Sequence, residues 1–164
     1  MKTAGLVCMM IAGMMNTGLA NDVISAKVVS VINGNTLEVI GEDNETRVVK
    51  LAGIDTPELS QEYGDKARKF LTKLVLEKNV TIQITGKDRK GTNLAIVTDE
   101  NQNDLRVELL KEGLAWTAER NPTPELEALR VRAQEKGKGL WKQDSPTPPW
   151  IYRRQQSMME AKGS

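Results

Sequence analysis

The sequence has no histidine, and that absence removes more chemistry than any other feature of its composition. Histidine-based catalytic triads and histidine-rich zinc sites are excluded, so a general base at neutral pH has to be a carboxylate or a lysine. Cysteine occurs once, at Cys8, so the chain cannot form an internal disulfide. Aromatic residues make up 4% of the chain, and the formal net charge is only +1. A balance that close to neutral gives no overall attraction to phosphate backbones, which depends on net or clustered positive charge. Repeats and low-complexity stretches are also missing.

The one long stretch without charge is at the start. Lys2 is followed by a run from Thr3 to Ala20 rich in Met, Leu and Ala, closing in Gly18-Leu19-Ala20. A charged start, a short apolar segment and small residues before Asn21 predict a secretory signal peptide over residues 1–20 and an exported protein, periplasmic or secreted. The run is marginal for a membrane span and contains Asn16 and Thr17. Leu6-Val7-Cys8 lacks the small residue that precedes a lipidated cysteine. Cleavage after Ala20 would remove one of the 23 basic residues and leave 22 against 22 acidic ones.

Residues 21–154 read as one domain, with a polar, frayed tail over 155–164. Val28, Ser30 and Ile32 precede Asn33-Gly34, and Thr36, Leu37, Val39 and Ile40 come after it. Asn-Gly between β-branched runs is a hairpin signal, because both residues accept positive φ. A polar turn over residues 41–45 leads to a third strand through Val48, Val49, Leu51 and Ile54. Over residues 61–78 the period changes, with Ala67, Phe70, Leu71, Leu74 and Val75 on one helical face. Val80, Ile82 and Ile84 then alternate with polar residues, and Leu94 to Val97 forms a further strand. Asp104 caps a short helix carrying Leu105, Leu109 and Leu110, and Gly113 stops it. Thr123-Pro124 opens a last helix with Leu126, Leu129 and Ala133 on its stripe. Pro146, Pro148 and Pro149 predict an extended segment pinned by Trp150 and Tyr152. Five strands with a helix after the third, and helices at the end, predict an α+β fold: a five-stranded Greek-key β-barrel of the OB type with three α-helices.

The chemistry is concentrated at the end of the third strand. Gly53-Ile54-Asp55-Thr56-Pro57-Glu58 carries two acids around a Thr-Pro turn, and Pro57 cannot continue a ladder. Asp55 and Glu58 therefore leave the sheet together and can face one site, a metal or catalytic arrangement if a partner group arrives from elsewhere. The bland reading is an Asx-type turn with solvated acids.

Several motifs then fall in order: Val31-Ile32-Asn33-Gly34-Asn35-Thr36-Leu37, Leu51-Ala52-Gly53-Ile54-Asp55-Thr56-Pro57-Glu58, Tyr63-Gly64 with Ala67, residues 88–95, Gly113-Leu114-Ala115-Trp116, Gly139-Leu140-Trp141 and Pro148-Pro149-Trp150. In this set the chain resembles the staphylococcal nuclease (thermonuclease-like) family across most of the sequence after residue 20. The resemblance implies an OB barrel and calcium-dependent cleavage of phosphodiesters in DNA and RNA. It also implies roles: Asp55 as a calcium ligand, the carbonyl of Thr56 as another, and Glu58 as the acid that activates water. Three family positions that hold the metal or the phosphate are altered. The first hairpin reads Asn33-Gly34-Asn35-Thr36, so the second ligand acid is Asn35. Lys50 stands five residues before Asp55 where the family has an arginine, and Thr92 replaces a second arginine after Gly91. Lys90 stands at the loop's tyrosine, and Glu119 and Asn121 lie where base-holding aromatics are expected.

These replacements weaken chemistry and spare the fold. Asn35 keeps a carbonyl oxygen but no charge for a hard cation. Lys50 keeps its charge and loses the bidentate fork, and Thr92 keeps neither. Arg47 is three residues from Lys50, which on a regular strand faces the other way, and Arg89 matches a variable basic position. The expectation is a weakly active or inactive nuclease homologue, a pseudoenzyme acting as a binding module, with single-stranded DNA or RNA bound weakly, or another envelope protein, as its partner. The competing expectation is an active calcium-dependent phosphodiesterase with Glu58 as general base. A purely structural envelope protein has only the Pro-rich segment and polar tail behind it.

Overall fold

A computed structural model describes residues 23–163. The expected signal segment lies outside the described residues. In chain order the elements are β1 (Val23–Asn33), β2 (Thr36–Gly41), β3 (Thr46–Leu51), β4 (Ile54–Asp55), α1 (Gly64–Val75), β5 (Asn79–Lys87), β6 (Asn93–Thr98), α2 (Leu105–Lys111), β7 (Trp116–Thr117), α3 (Pro124–Glu135), a 3₁₀ turn (Gly139–Lys142) and α4 (Pro149–Gly163). Strands β1, β2, β3, β6 and β5 close a barrel in that order. Its seams are antiparallel except β3–β6, which is parallel. The length of β1 makes the closure possible, since residues 23–27 pair with β5 while residues 26–33 pair with β2. The five-stranded barrel of the OB type is therefore present, with β4 and β7 added as a two-stranded ladder beside it.

Alternation along the strands fills the barrel. Val28, Leu37, Val39, Val49, Leu51, Val80, Ile82, Ala95 and Val97 are almost wholly buried. Helix α1 adds Ala67, Leu71 and Val75, and α2 adds Leu105, Leu109 and Leu110. Each large apolar side chain removed from water contributes about 1.5–3 kcal/mol before entropy is counted. Asp104 caps α2 as expected, its carboxylate accepting from the Arg106 amide at 2.9 Å. A smaller cluster joins Ala133, Leu140 and Trp141 to Tyr63 and Trp116.

The hairpin between β1 and β2 forms by a route other than the expected one. Asn33 pairs directly with Thr36, so the corner residues are Gly34 and Asn35. Neither Asn33 nor Gly34 takes a positive φ. The Asn33 side chain accepts from the Asn35 amide at 3.0 Å, an Asx turn. Glycine is required at 34 for proximity: a Cβ there would stand 2.7 Å from the Thr56 hydroxyl and from the Ala67 methyl. The hairpin thus presses its corner against the Asp55-Thr56 turn.

The C-terminal part corrects the helix count. Among the described residues there are four α-helices, not three, and the fourth, Pro149–Gly163, takes in residues 155–163 of the expected tail. The extended Pro-rich segment ends at Pro148, because Pro149 opens α4 at a position where proline's fixed φ suits a helix. Tyr152 donates its hydroxyl hydrogen to Ser60 at 2.8 Å, and Gln61 donates to the Thr147 carbonyl at 3.0 Å. Trp150 meets the Trp116 ring edge-on at 5.7 Å, within a cluster where Trp116 also meets Trp141 at 4.5 Å. These contacts seat the first turns of α4 on the loop that carries Glu58. No helix among the described residues is long and apolar enough to cross a membrane.

Candidate functional site

Asp55 leaves the barrel on a short, well-held arm. Gly53 turns the chain at φ +75°, and the two residues of β4 pair with β7, Ile54 opposite Thr117 and Asp55 opposite Trp116. The Ala118 amide donates to the Gly53 carbonyl at 3.0 Å, and the Arg106 guanidinium reaches the Ala52 carbonyl at 3.3 Å. Thr56 comes next, buried beneath the Gly34 corner. Glu58 is fixed by its backbone, because its amide donates to the Gln61 side chain at 2.9 Å and its carbonyl accepts from the Gln61 amide at 2.8 Å. Gly64 must be glycine for the same reason: a Cβ would lie 1.9 Å from the Glu58 carbonyl oxygen.

Asn35 arrives at this turn from the hairpin. It is 3% exposed, and its backbone carbonyl accepts from the Leu51 amide at 2.8 Å. The side-chain contacts are long, 3.5 Å from Nδ2 to the Ile54 carbonyl and 3.4 Å from the Thr36 hydroxyl to Oδ1. Asn35, Asp55, Thr56 and Glu58 are therefore brought together. Lys50 lies on β3 and Thr92 on the loop between β5 and β6. Lys50 pairs across the barrel wall with Thr36 and Leu94, between the inward-facing Val49 and Leu51. Thr92 closes its loop on Asp88, donating its amide at 2.9 Å and accepting from the Asp88 amide at 2.9 Å. Arg47 is committed elsewhere, to the carboxylates of Asp43 and Glu45. A cavity of about 860 Å³, lined by Arg47, Asp43, Ile84 and Lys87 among others, includes none of the candidate site residues.

The partner of the two acids is a residue that sequence reasoning did not place. Arg153, on the second turn of α4, puts Nη2 2.7 Å from Asp55 Oδ2 and Nη1 2.7 Å from Glu58 Oε1. Nη1 also approaches Asp55 Oδ1 at 3.4 Å. One guanidinium bridges both carboxylates, and those hydrogen bonds, led by Asp55, hold it protonated well above the ordinary arginine range. The Asp55 side chain is only 14% exposed, so this pairing is partly shielded from solvent. A separation of 95 to 98 residues left no spacing signal for it.

Calcium requires several oxygen ligands and usually more than one carboxylate. Among the described residues no group of three or more acids, cysteines or histidines is arranged to hold a metal. The donor set here is the uncharged Asn35 amide, the Thr56 carbonyl and two acids that already share a cation. As arranged, these residues do not fit a calcium ion.

The neighbouring loop depends on one carboxylate. Asp88 is held below its ordinary value of 3.8, chiefly by the Thr92 amide, with desolvation opposing and the Lys90 amide and the Lys50 charge adding to the lowering. A depressed folded value means that this contribution is present above the unfolded pKa and is lost as pH falls through the folded one. The amide resonances of Lys90 and Thr92 are expected to move together in acid, with a midpoint below 3.8. An Asp88→Asn variant should show no such step, and a shared midpoint above that value would contradict the assignment.

A profile of the family described as staphylococcal nuclease homologue matches residues 48–143. An uncharacterized endonuclease of Haemophilus influenzae is 38% identical over 135 residues, covering 82% of this chain and 75% of the relative. An uncharacterized endonuclease of Escherichia coli O157:H7 is 34% identical over 131 residues, 79% of this chain and 85% of the relative. A micrococcal nuclease of Shigella flexneri is 28% identical over 139 residues, 78% of this chain and 79% of the relative. Helix α4 lies beyond the span matched by the family profile.

Proposed function

The chain belongs to the staphylococcal nuclease homologue family, and we propose that it is a nuclease-fold domain that binds nucleic acid and cleaves it slowly or not at all. The observation that carries this reading is the bridge from Arg153 to Asp55 and Glu58, which neutralises within the chain the acids that hydrolysis would employ. A carboxylate whose lone pairs are engaged by a guanidinium has fewer of them free to hold a metal or to meet a water molecule. Asn35 adds no charge at the third position, and neither Lys50 nor Thr92 presents a planar fork to a phosphoryl group. Binding is less affected than cleavage, because it needs cations and not a complete metal site. The second reading is a metal-dependent endonuclease with Glu58 as base; the names of the Haemophilus and Escherichia relatives, uncharacterized endonucleases, support its cleavage activity and name neither a metal nor a base.

Purified protein lacking residues 1–20, incubated with single-stranded DNA and calcium or manganese, separates the two. The expected result is no rapid cleavage above a blank, and little difference between the parent and Glu58→Gln. Fast cleavage lost in Glu58→Gln would overturn the proposal in favour of the second reading. Export belongs to the same proposal and rests on Lys2 and the charge-free run to Ala20. Cell fractionation tests it, and full-length protein confined to the cytoplasm would remove it.

A further inference from the structure

A smaller cavity, about 260 Å³, lies where the loop after β4 meets the segment that joins the 3₁₀ turn to α4. No lysine or arginine lines it, and its one carboxylate is Glu62. The rest of the polar wall is hydroxyl and amide, with Ser60, Ser145, Tyr152 and Gln143 among the contributors, while Trp116 and Leu140 form an apolar side. Without a cation the wall gives a phosphate or carboxylate nothing to pair with. Glu62 is exposed and already accepts from Gln143 at 2.7 Å, so it is a weak lure for an ammonium group. Hydrogen-bonding capacity remains for an uncharged occupant. Tyr152 donates to Ser60 at 2.8 Å, which leaves the Ser60 hydrogen, and the Gln143 side-chain oxygen is still open to a donor. The Ser145 hydroxyl has no partner among the described residues. Donors and acceptors thus sit side by side, and a hydroxyl group is both at once. The volume is below the range of roughly 300–1,000 Å³ that drug-sized molecules occupy, so the space suits a single small ring.

We propose that this cavity binds the ring of an uncharged sugar, with its hydroxyls on Ser60, Gln143 and Ser145 and its C–H side against Trp116 and Leu140. A sugar ring matches the wall in both respects, since its rim is hydroxyl and its faces carry C–H groups that suit an indole. The site goes beyond the nuclease-fold reading and stands independently of it. It also has a consequence for that reading. One wall, with Ser60, belongs to the loop that carries Glu58, and the other, with Gln143 and Ser145, belongs to the approach to α4. An occupant bonded to both walls adds to the contacts that seat α4, which are the Tyr152 bond to Ser60 and the Gln61 bond to the Thr147 carbonyl. That seat is what keeps Arg153 on Asp55 and Glu58.

The test is a titration of isotope-labelled protein followed through its amide resonances. The probes are D-glucose, D-galactose and N-acetyl-D-glucosamine, each with its methyl β-glycoside, and inorganic phosphate and methylammonium as charged comparisons. At least one sugar is expected to move the amides of Ser60, Gln61, Gln143 and Ser145 saturably, with an affinity on the order of millimolar for so small a ligand. A glycoside that binds as well as its parent sugar marks the end of a glycan as the occupant, and loss of binding in the glycoside marks a free sugar. Phosphate and methylammonium should leave those amides in place, and displacement of the sugar by either would overturn the uncharged assignment. Ser145→Ala removes a hydroxyl that has no partner in the free protein, so the fold should be unaffected while sugar binding weakens roughly three- to tenfold. Gln143→Ala repeats the measurement from the neighbouring contact. Sugar bound equally well by both variants, shifts confined to other parts of the chain, or no saturable shift at about ten times the expected range would each overturn the proposal. Saturating sugar should also slow amide exchange in the second turn of α4, and unchanged exchange there would overturn the link to Arg153.

Discussion

Replacing Arg153 by glutamine is expected to turn the acid turn from a closed ion pair into a site that takes up divalent cations. In the parent, a cation must displace a guanidinium that makes two 2.7 Å contacts. With glutamine, Asp55 and Glu58 lose that competitor and repel one another, so a cation relieves repulsion as well as binding. Apparent affinity for calcium or manganese, measured by calorimetry, should rise by about tenfold or more, and the gain should also appear as a cation-dependent rise in melting temperature. Without metal the same variant should be less stable than the parent by about 1–2 kcal/mol, because Asp55 is mostly buried and keeps a charge without its partner. The two signs are opposite, so a merely structural role for Arg153 cannot reproduce both. Destabilisation without any gain in cation binding would mean that the bridge holds α4 in place and does not occupy a cation's position.

That experiment turns on a residue the sequence pointed to only obliquely, and the reason is physical. The barrel was legible because strand alternation and the helical face of Ala67, Leu71 and Val75 are local patterns that survive folding unchanged. The assembly of Asp55, Thr56 and Glu58 was legible because Pro57 forces a turn within four residues. Helix α4 carries no such pattern. Its C-terminal half exposes Met158 and Met159, and its order comes from tertiary anchoring through Tyr152, Trp150 and Thr147. A polar helix held by one end reads as a tail. The hairpin shows the same limit in reverse: Asn33-Gly34 correctly signalled a turn, but the corner lies at Gly34-Asn35, where the need is for contact with Thr56 and Ala67.

Restoring the three altered metal- and phosphate-binding positions together should have the largest effect of all. The variant Asn35→Asp/Lys50→Arg/Thr92→Arg is expected to cleave single-stranded DNA in calcium about a hundredfold faster than the parent or more, given that one well-placed arginine in phosphoryl transfer is worth roughly a thousandfold elsewhere and that such gains do not multiply cleanly. The scaffold tolerates the changes unequally. Thr92 holds its loop through backbone amide and carbonyl, which an arginine retains. Lys50→Arg keeps a cation on the barrel's outer wall between Thr36 and Leu94. Asn35→Asp is the costly one, since it sets a buried carboxylate near the Ile54 carbonyl oxygen, where the amide nitrogen now lies at 3.5 Å. Without a cation that substitution alone should cost about 1–3 kcal/mol, and calcium should recover most of it. Adding Arg153→Gln to the triple variant then separates two causes of inactivity. A further gain would show that the bridge competes with metal, whereas a loss would show that Arg153 contributes its own guanidinium to the phosphate. No gain in the triple variant, in a protein whose folding and calcium uptake are intact, would place the defect in the shape of the cleft and not in the identity of its side chains.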